Sequence, residues 1–261
     1  MGDELSERGT SEGARAPQLP KHFELSPFAL PKIWFCSGAL VVKKRMSNFA
    51  YSIVEVPGES ALAELKDLRQ GRRYPVLLGD PRNLERLAEA MSETDESSEA
   101  LVRAAERLDP QEWLLAREGI VEEVDSGEWP DDAKAGSGIT AHLQTGNKPL
   151  PSVSIALIPT DAAWKVPCYL KLGGWNECPF APEQASLFRK WEAEYGAKIV
   201  AVTSDTIECE VANPPTTRLA AMKLAREQAL FCSDIVSQGT GTVEALAATL
   251  LHGLSWYFWW D

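Results

Sequence analysis

Apolar positions in this chain recur with two periods, about 3.6 and 2, and their succession predicts a series of helices and strands. Residues 38–44 (GALVVKK) and 50–56 (AYSIVEV) are rich in β-branched residues and predict two strands. Leu62, Leu65 and Leu68 recur at helical spacing, with Pro57 ahead of them and Gly71 placed to end the helix. The apolar run at 74–80 (YPVLLGD) predicts a buried strand. Asp80 then caps a helix with Pro81 at its first position and Leu84, Leu87 and Met91 on one face. Two more helices, 97–109 and 110–124, meet at Pro110.

The pattern is denser after residue 151. Residues 151–160 (PSVSIALIPT) predict a strand, and 162–172 a short helix capped by Asp161 and weakened by Pro167. From Pro182, Leu187, Phe188, Trp191 and Tyr195 share a helical face that Gly196 closes. AKIVAVT reads as a central strand, and Ser204 and Asp205 as a tight turn. Ile207, Cys209 and Val211 then alternate with Thr206, Glu208 and Glu210, as in a half-buried strand. A helix follows with Thr216 or Thr217 as cap, then one with Val243, Leu246, Ala247 and Leu250 facing inward. The chain ends in SWYFWWD, a strand with aromatic residues on both faces.

These elements predict an α+β fold, a mixed sheet covered by helices, with the aromatic strand interior to the sheet. The expected division is a disordered tail at 1–20, an N-terminal α/β region at 21–124, a linker or long loop at 125–151, and a C-terminal α+β domain at 152–261. Gly, Pro, Asp, Ser and Asn dominate the stretch at 125–151.

Composition narrows the class of partner. The 261 residues carry a formal charge of -12, which repels a phosphate backbone and argues against nucleic acid. No run of 18 apolar residues occurs, so no membrane-spanning helix is expected. The polar first 20 residues lack the apolar core of a secretory signal, although Gly2 and Ser6 stand at the spacing of a myristoylation motif. Five cysteines with no C-x-x-C pair suggest reduced thiols and a cytoplasmic location. His22, His142 and His252 stand apart from one another, which argues against a zinc site.

The blocks IALIPT, WKVPCYLKLGGWNECP, YGAKIVAVTSDTIE, AREQALFCSDIVSQGTGTVEALAATLL and WYFWWD resemble the bacterial domain-of-unknown-function 4253 family. The resemblance is dense from about Ser152 to Asp261, and YPVLLGD is similar to the family's upstream segment. Cys168 departs from the small residue expected there, and Leu230 from an aromatic one. The resemblance implies the fold and brings no assigned catalytic residue, cofactor or metal.

Two polar segments are candidates for a binding site. In LGGWNECP, Gly174 would let backbone approach a ligand, Trp175 would offer a flat face, and Asn176 a donor–acceptor pair. The plainer alternative is a helix cap at Gly173, with Trp175 in the core and Asn176 bonded to loop backbone. In SDIVSQGTGTVEA, the turn with Gly239 and Gly241 before a helix could cradle an anion. There the alternative is a capped turn in which Asp234 and Gln238 bond local backbone. Asp205, Trp260 and Asp261 complete the candidate binding set. Glu208 and Glu210 could begin a metal site or lie on a solvated sheet face.

No nucleophile–base pair or G-x-S-x-G elbow occurs. The expectation is a non-catalytic binding or interaction protein, in its most concrete form an acidic immunity- or antitoxin-like inhibitor of a protein partner. The alternative is a small-molecule-binding or metal-dependent enzyme, its pocket built from the GGWN loop, the Gln238 turn and the carboxylate at Asp261.

Overall fold

Strands from both sides of the 125–151 stretch hydrogen-bond into one sheet. The computed structural model describes residues 34–36, 39–44, 49–118 and 126–261, all within one compact unit spanning Pro31–Asp261. The tail expected at 1–20, with the Gly2–Ser6 spacing, and the helix expected to continue through 119–124 lie outside the described residues.

The first elements are β1 (Trp34–Cys36), β2 (Ala39–Lys44), β3 (Ser52–Val56), α1 (Ala61–Leu68), β4 (Tyr74–Leu77), α2 (Pro81–Ser92), α3 (Ser98–Arg107) and α4 (Pro110–Glu118). A short hairpin, β5 (Leu143–Gln144) and β6 (Lys148–Pro149), precedes β7 (Val153–Ile158). Then come a 3₁₀ turn (Ala163–Lys165), α5 (Val166–Leu170), α6 (Ala181–Tyr195), β8 (Lys198–Val202), β9 (Thr206–Glu210) and α7 (Arg218–Phe231). A π-helix (Ile235–Thr240), α8 (Val243–Leu250) and β10 (Ser255–Trp259) complete the chain.

The sheet order is β1-β2-β3-β7-β4-β8-β9-β10. β4 runs parallel to β8, with Leu77 opposite Ala201, and the other pairings are antiparallel. The fold is therefore α+β with a mixed sheet. Its two faces separate by strand alternation: Ile53, Ala156, Ile158, Val202, Ile207 and Cys209 face one core. Val54, Val56, Ile155, Leu157 and Val200 face the other. A bulge between Ile199 and Ala201 breaks the alternation, so Val200 and Ala201 share a core. Tyr74 Oη donates to the carbonyl of Ile199 at 2.8 Å beside that bulge.

The larger core is aromatic. Trp191 on α6 stacks parallel on Phe258 of β10, 5.8 Å between centroids, and Phe231 of α7 meets both rings edge-on. Glu227, buried on α7, accepts from Trp191 Nε1 at 3.0 Å and Lys190 Nζ at 2.7 Å, which ties α7 to α6 and satisfies its buried charge.

The expected interior placement of the aromatic strand needs correction. Among the described residues β10 lies at the edge of the sheet and pairs with β9 alone. Trp256, Phe258 and Trp260 are buried, while Tyr257 is 51% exposed and Trp259 half-buried. Bulk on both faces does not require burial on both, because the amphipathic rings of Tyr and Trp tolerate a wet surface.

Local signals were mostly obeyed. Asp80, Ser97, Thr217 and Thr242 cap α2, α3, α7 and α8 through their side chains. The helix expected at 162–172 is divided instead: Pro167 sits in the first turn of α5, behind a separate 3₁₀ turn. Asp161 does not cap it; the Ala162 N–H donates to Thr160 Oγ1 at 3.2 Å.

Residues 139–150 pack on the smaller core, where Ile139 is buried and Ala141 and Leu150 are half-buried, while Trp129 packs against the larger one. Glu208 holds the 139–150 segment there. This carboxylate, 2% exposed, accepts from the main-chain N–H groups of Thr140 and Ala141 and from the Thr140 hydroxyl. Among the described residues no helix is long and apolar enough to cross a membrane.

Candidate functional site

Three segments far apart in sequence meet at the end of β10. The first is the loop after α5. Lys171 takes the left-handed conformation that ends the helix, and Gly173 and Gly174 follow with φ of 86° and 83°. A Cβ on Gly173 would lie 1.8 Å from the carbonyl oxygen of Pro179, so only glycine lets the loop fold back onto α6. A Cβ on Gly174 would lie 2.6 Å from the ring of Phe180. The loop closes with Gly174 N–H on Cys178 O and Cys178 N–H on Trp175 O, both at 3.0 Å.

The second segment is the π-helix. The Gln238 turn expected from the glycines is this helix, closed by Gly241 N–H on Val236 O at 2.8 Å, with Gly241 at φ 82°. Asp234, at its start, spends no oxygen on local backbone. Its Oδ1 accepts from Gln238 Nε2 at 3.3 Å and its Oδ2 from the main-chain N–H of Asp261 at 3.0 Å. The third segment is the β8–β9 turn. Asp205 accepts from Thr203 Oγ1 at 2.8 Å, and its carbonyl accepts from Trp260 N–H at 3.1 Å. Asn176 Nδ2 donates to the carbonyl oxygen of Asp261, which joins the first segment to the others.

The structure thus brings together Asn176, Asp205, Asp234, Gln238, Trp260 and Asp261. Asp205 and Trp260 of this set also line a cavity of about 20 Å³, with Trp175, Cys178, Gln184 and Thr203. Trp175 is half-buried there. Gly174 and Asn176 lie instead on a neighbouring groove of about 390 Å³, with Trp113, Arg117 and Phe180. Gly239 and Gly241 are exposed and line neither space.

Two anticipated local arrangements are corrected. Asn176 does not bond loop backbone, and Asp234 and Gln238 do not bond local backbone; Asn176 and Asp234 reach across the fold to Asp261 because β10 ends between them, while Gln238 donates to the Asp234 carboxylate four residues away. The anion cradle before α8 is occupied by protein. Thr242 Oγ1 accepts from Ala245 N–H at 3.1 Å, and Glu244 accepts from Gly127 N–H at 2.7 Å. Glu208 and Glu210 separate rather than share a ligand: Glu208 is buried against Thr140, and Glu210 pairs with Arg69 at 2.7 Å. Among the described residues no three His, Cys, Asp or Glu side chains gather as a metal-binding group.

Residues 154–261 match the family model described as Domain of unknown function (DUF4253). Every residue lining the cavity lies inside that matched segment. No curated protein and no solved structure matches the chain.

Sequence reasoning missed Gln184 and Thr203. Gln184 sits four residues before Phe188 and seven before Trp191, on the buried stripe of α6, with 0% exposure. A polar side chain at an apolar helical position was the available signal. Thr203 carried no pattern of its own, since its role arises from the turn geometry.

Burial sets the protonation of the thiols. It raises the Cys178 thiol well above its ordinary value and pushes Cys232 up to about 12. Cys232 also donates to the Trp259 carbonyl at 2.9 Å, so it serves the end of β10.

Proposed function

We propose that this protein is a non-catalytic binding protein for a small, non-anionic polar molecule, held where residues 172–178, 203–206 and 260–261 meet. The lining of one cavity by three distant segments, with Trp175 and Cys178 from the first, Thr203 and Asp205 from the second and Trp260 from the third, carries this reading. The lining combines a flat aromatic face, hydroxyls and an amide, the mixture that small-ligand sites use.

Charge and chemistry support the rest. Asp205 lines the cavity, with no Lys or Arg in the lining, so an anion is repelled. No histidine lines it either, and its one thiol, Cys178, is kept protonated by burial. Binding without turnover is what such a set can do. Net charge alone supports the inhibitor role expected from the sequence, and the cavity favours the small ligand.

The test is a ligand-observed NMR screen of neutral, cationic and anionic fragments against the full chain and an Asn176→Ala/Asp234→Ala variant. Neutral or cationic fragments should bind the natural protein and lose contact with the variant, which should still unfold cooperatively. If no fragment distinguishes the two proteins, the reading is wrong.

A further inference from the structure

The groove beside the cavity presents an aromatic ring where the start of a helix ordinarily carries a polar side chain. Phe180 is the N-cap of α6, a position that favours Ser, Thr, Asp or Asn. Its side chain makes no capping bond, and Glu183 Oε2 accepts its main-chain N–H at 2.8 Å. The ring is 64% exposed, yet its place is built. A Cβ on Gly174 would lie 2.6 Å from it, so the loop uses glycine, at φ 83°, to let the ring lie against its backbone.

The groove also contains Trp113 and Arg117 of α4. The Arg117 guanidinium lies 5.5 Å from the Trp113 ring centroid, with Nη2 3.2 Å from Glu177 Oε2 and Nε donating to the Leu230 carbonyl at 3.4 Å. One guanidinium, an indole and a carboxylate are thus already combined in the groove. That cation is largely withdrawn from solvent: the Arg117 side chain is 18% exposed, against 68% for Glu177. Phe180 and Glu183 form a second pair of ring and carboxylate in the same groove. Among the described residues no Lys or Arg pairs with either.

Charge and size define what fits there. The accessible charges of the groove are the carboxylates of Glu177 and Glu183, which repel an anion. An aromatic face attracts a cation. A guanidinium is planar and weakly hydrated, so it stacks on a ring and forks onto a carboxylate at once, where an ammonium acts as a point charge. The volume of about 390 Å³ falls within the roughly 300–1,000 Å³ of small-molecule sites. Ten lining residues fall short of the roughly 20–30 that a stable protein interface uses on each side.

We propose that this groove binds a small guanidinium compound, its planar cation set between the Phe180 ring and the Glu183 carboxylate, with Glu177 adding to the attraction. The site is separate from the cavity, with which it shares only Cys178.

The test uses the full chain with isotope-labelled phenylalanine and follows the amide signal of Phe180, assigned by its absence in Phe180→Leu. Ethylguanidinium is the probe, ethylurea its neutral counterpart of the same shape, and acetate the anion. At millimolar concentrations ethylguanidinium should shift the Phe180 signal in a saturable way, with ethylurea and acetate silent. Phe180→Leu keeps apolar bulk on an exposed position, and Glu183→Gln keeps an acceptor for the Phe180 N–H, so both should keep their melting temperature. Each should bind ethylguanidinium about threefold more weakly in a ligand-observed titration.

A Phe180 signal unmoved by ethylguanidinium overturns the site. So does an equal shift with ethylurea, which would show that the groove reads shape and not charge. Undiminished binding in both variants places the cation elsewhere and overturns it too. None of these results bears on the cavity, whose fragment screen stands or falls with the Asn176→Ala/Asp234→Ala variant.

Discussion

The carboxylate of Asp234 accepts the main-chain N–H of Asp261 at 3.0 Å, across 27 positions of the chain. With Asn176 on the Asp261 carbonyl, it fastens the end of an edge strand that would otherwise fray. Replacing Asp234 with Ala should lower unfolding free energy by about 1 kcal/mol, as should Asn176→Ala. The double variant should cost less than the sum, because either loss frees the same strand end. Urea unfolding of the four proteins checks this, and full additivity would argue that the two contacts act independently.

Phe258 and Tyr257 are neighbours on β10 with opposite environments. Phe258 is 0% exposed, stacked on Trp191, while Tyr257 is 51% exposed. Phe258→Ala should destabilise by about 3–5 kcal/mol through the cavity it leaves. Tyr257→Ala should cost about 1 kcal/mol or less. Similar losses at both positions would contradict an edge strand with one covered face.

His142 lies close to Glu208 on the segment that Glu208 anchors. Burial lowers its pKa, and the Glu208 charge opposes that shift without cancelling it. The native state therefore favours neutral imidazole. The stability this contributes is present above the unfolded value near 6.5 and is lost as pH falls through the lower folded value. Proton NMR titration should place the His142 pKa below 6.5, and lower again in Glu208→Gln, where the opposing charge is gone. A rise in that variant would contradict the assignment.

Much of the site was legible in its parts. Asn176, Asp205, Asp234, Gln238, Trp260 and Asp261 were each readable as exposed-type polar or aromatic groups in turn-rich segments. Their meeting was not, because it depends on β10 running antiparallel to β9 and ending between the Asn176 loop and the π-helix. Glu208 shows the converse. Alternation placed it on the face of β9 opposite Ile207 and Cys209, as in the sheet, but that face, readable as solvated, is covered at Glu208 by Thr140 and Ala141, 68 and 67 positions away. Gln184 was hidden for a related reason: one glutamine in an apolar stripe is ambiguous until the carbonyl of Pro179 holds one end of its amide.

The chain's own pattern determined the α+β class, the caps at Asp80 and Thr217, and the strand character of 255–259, because periodicity and capping are local properties. Tertiary structure alone decided the order of the strands, the edge position of β10 and the cavity beneath Trp260. Those depend on which distant surfaces meet, and a hydrogen bond unmade at Trp260 Nε1 becomes visible only when every neighbour is in place.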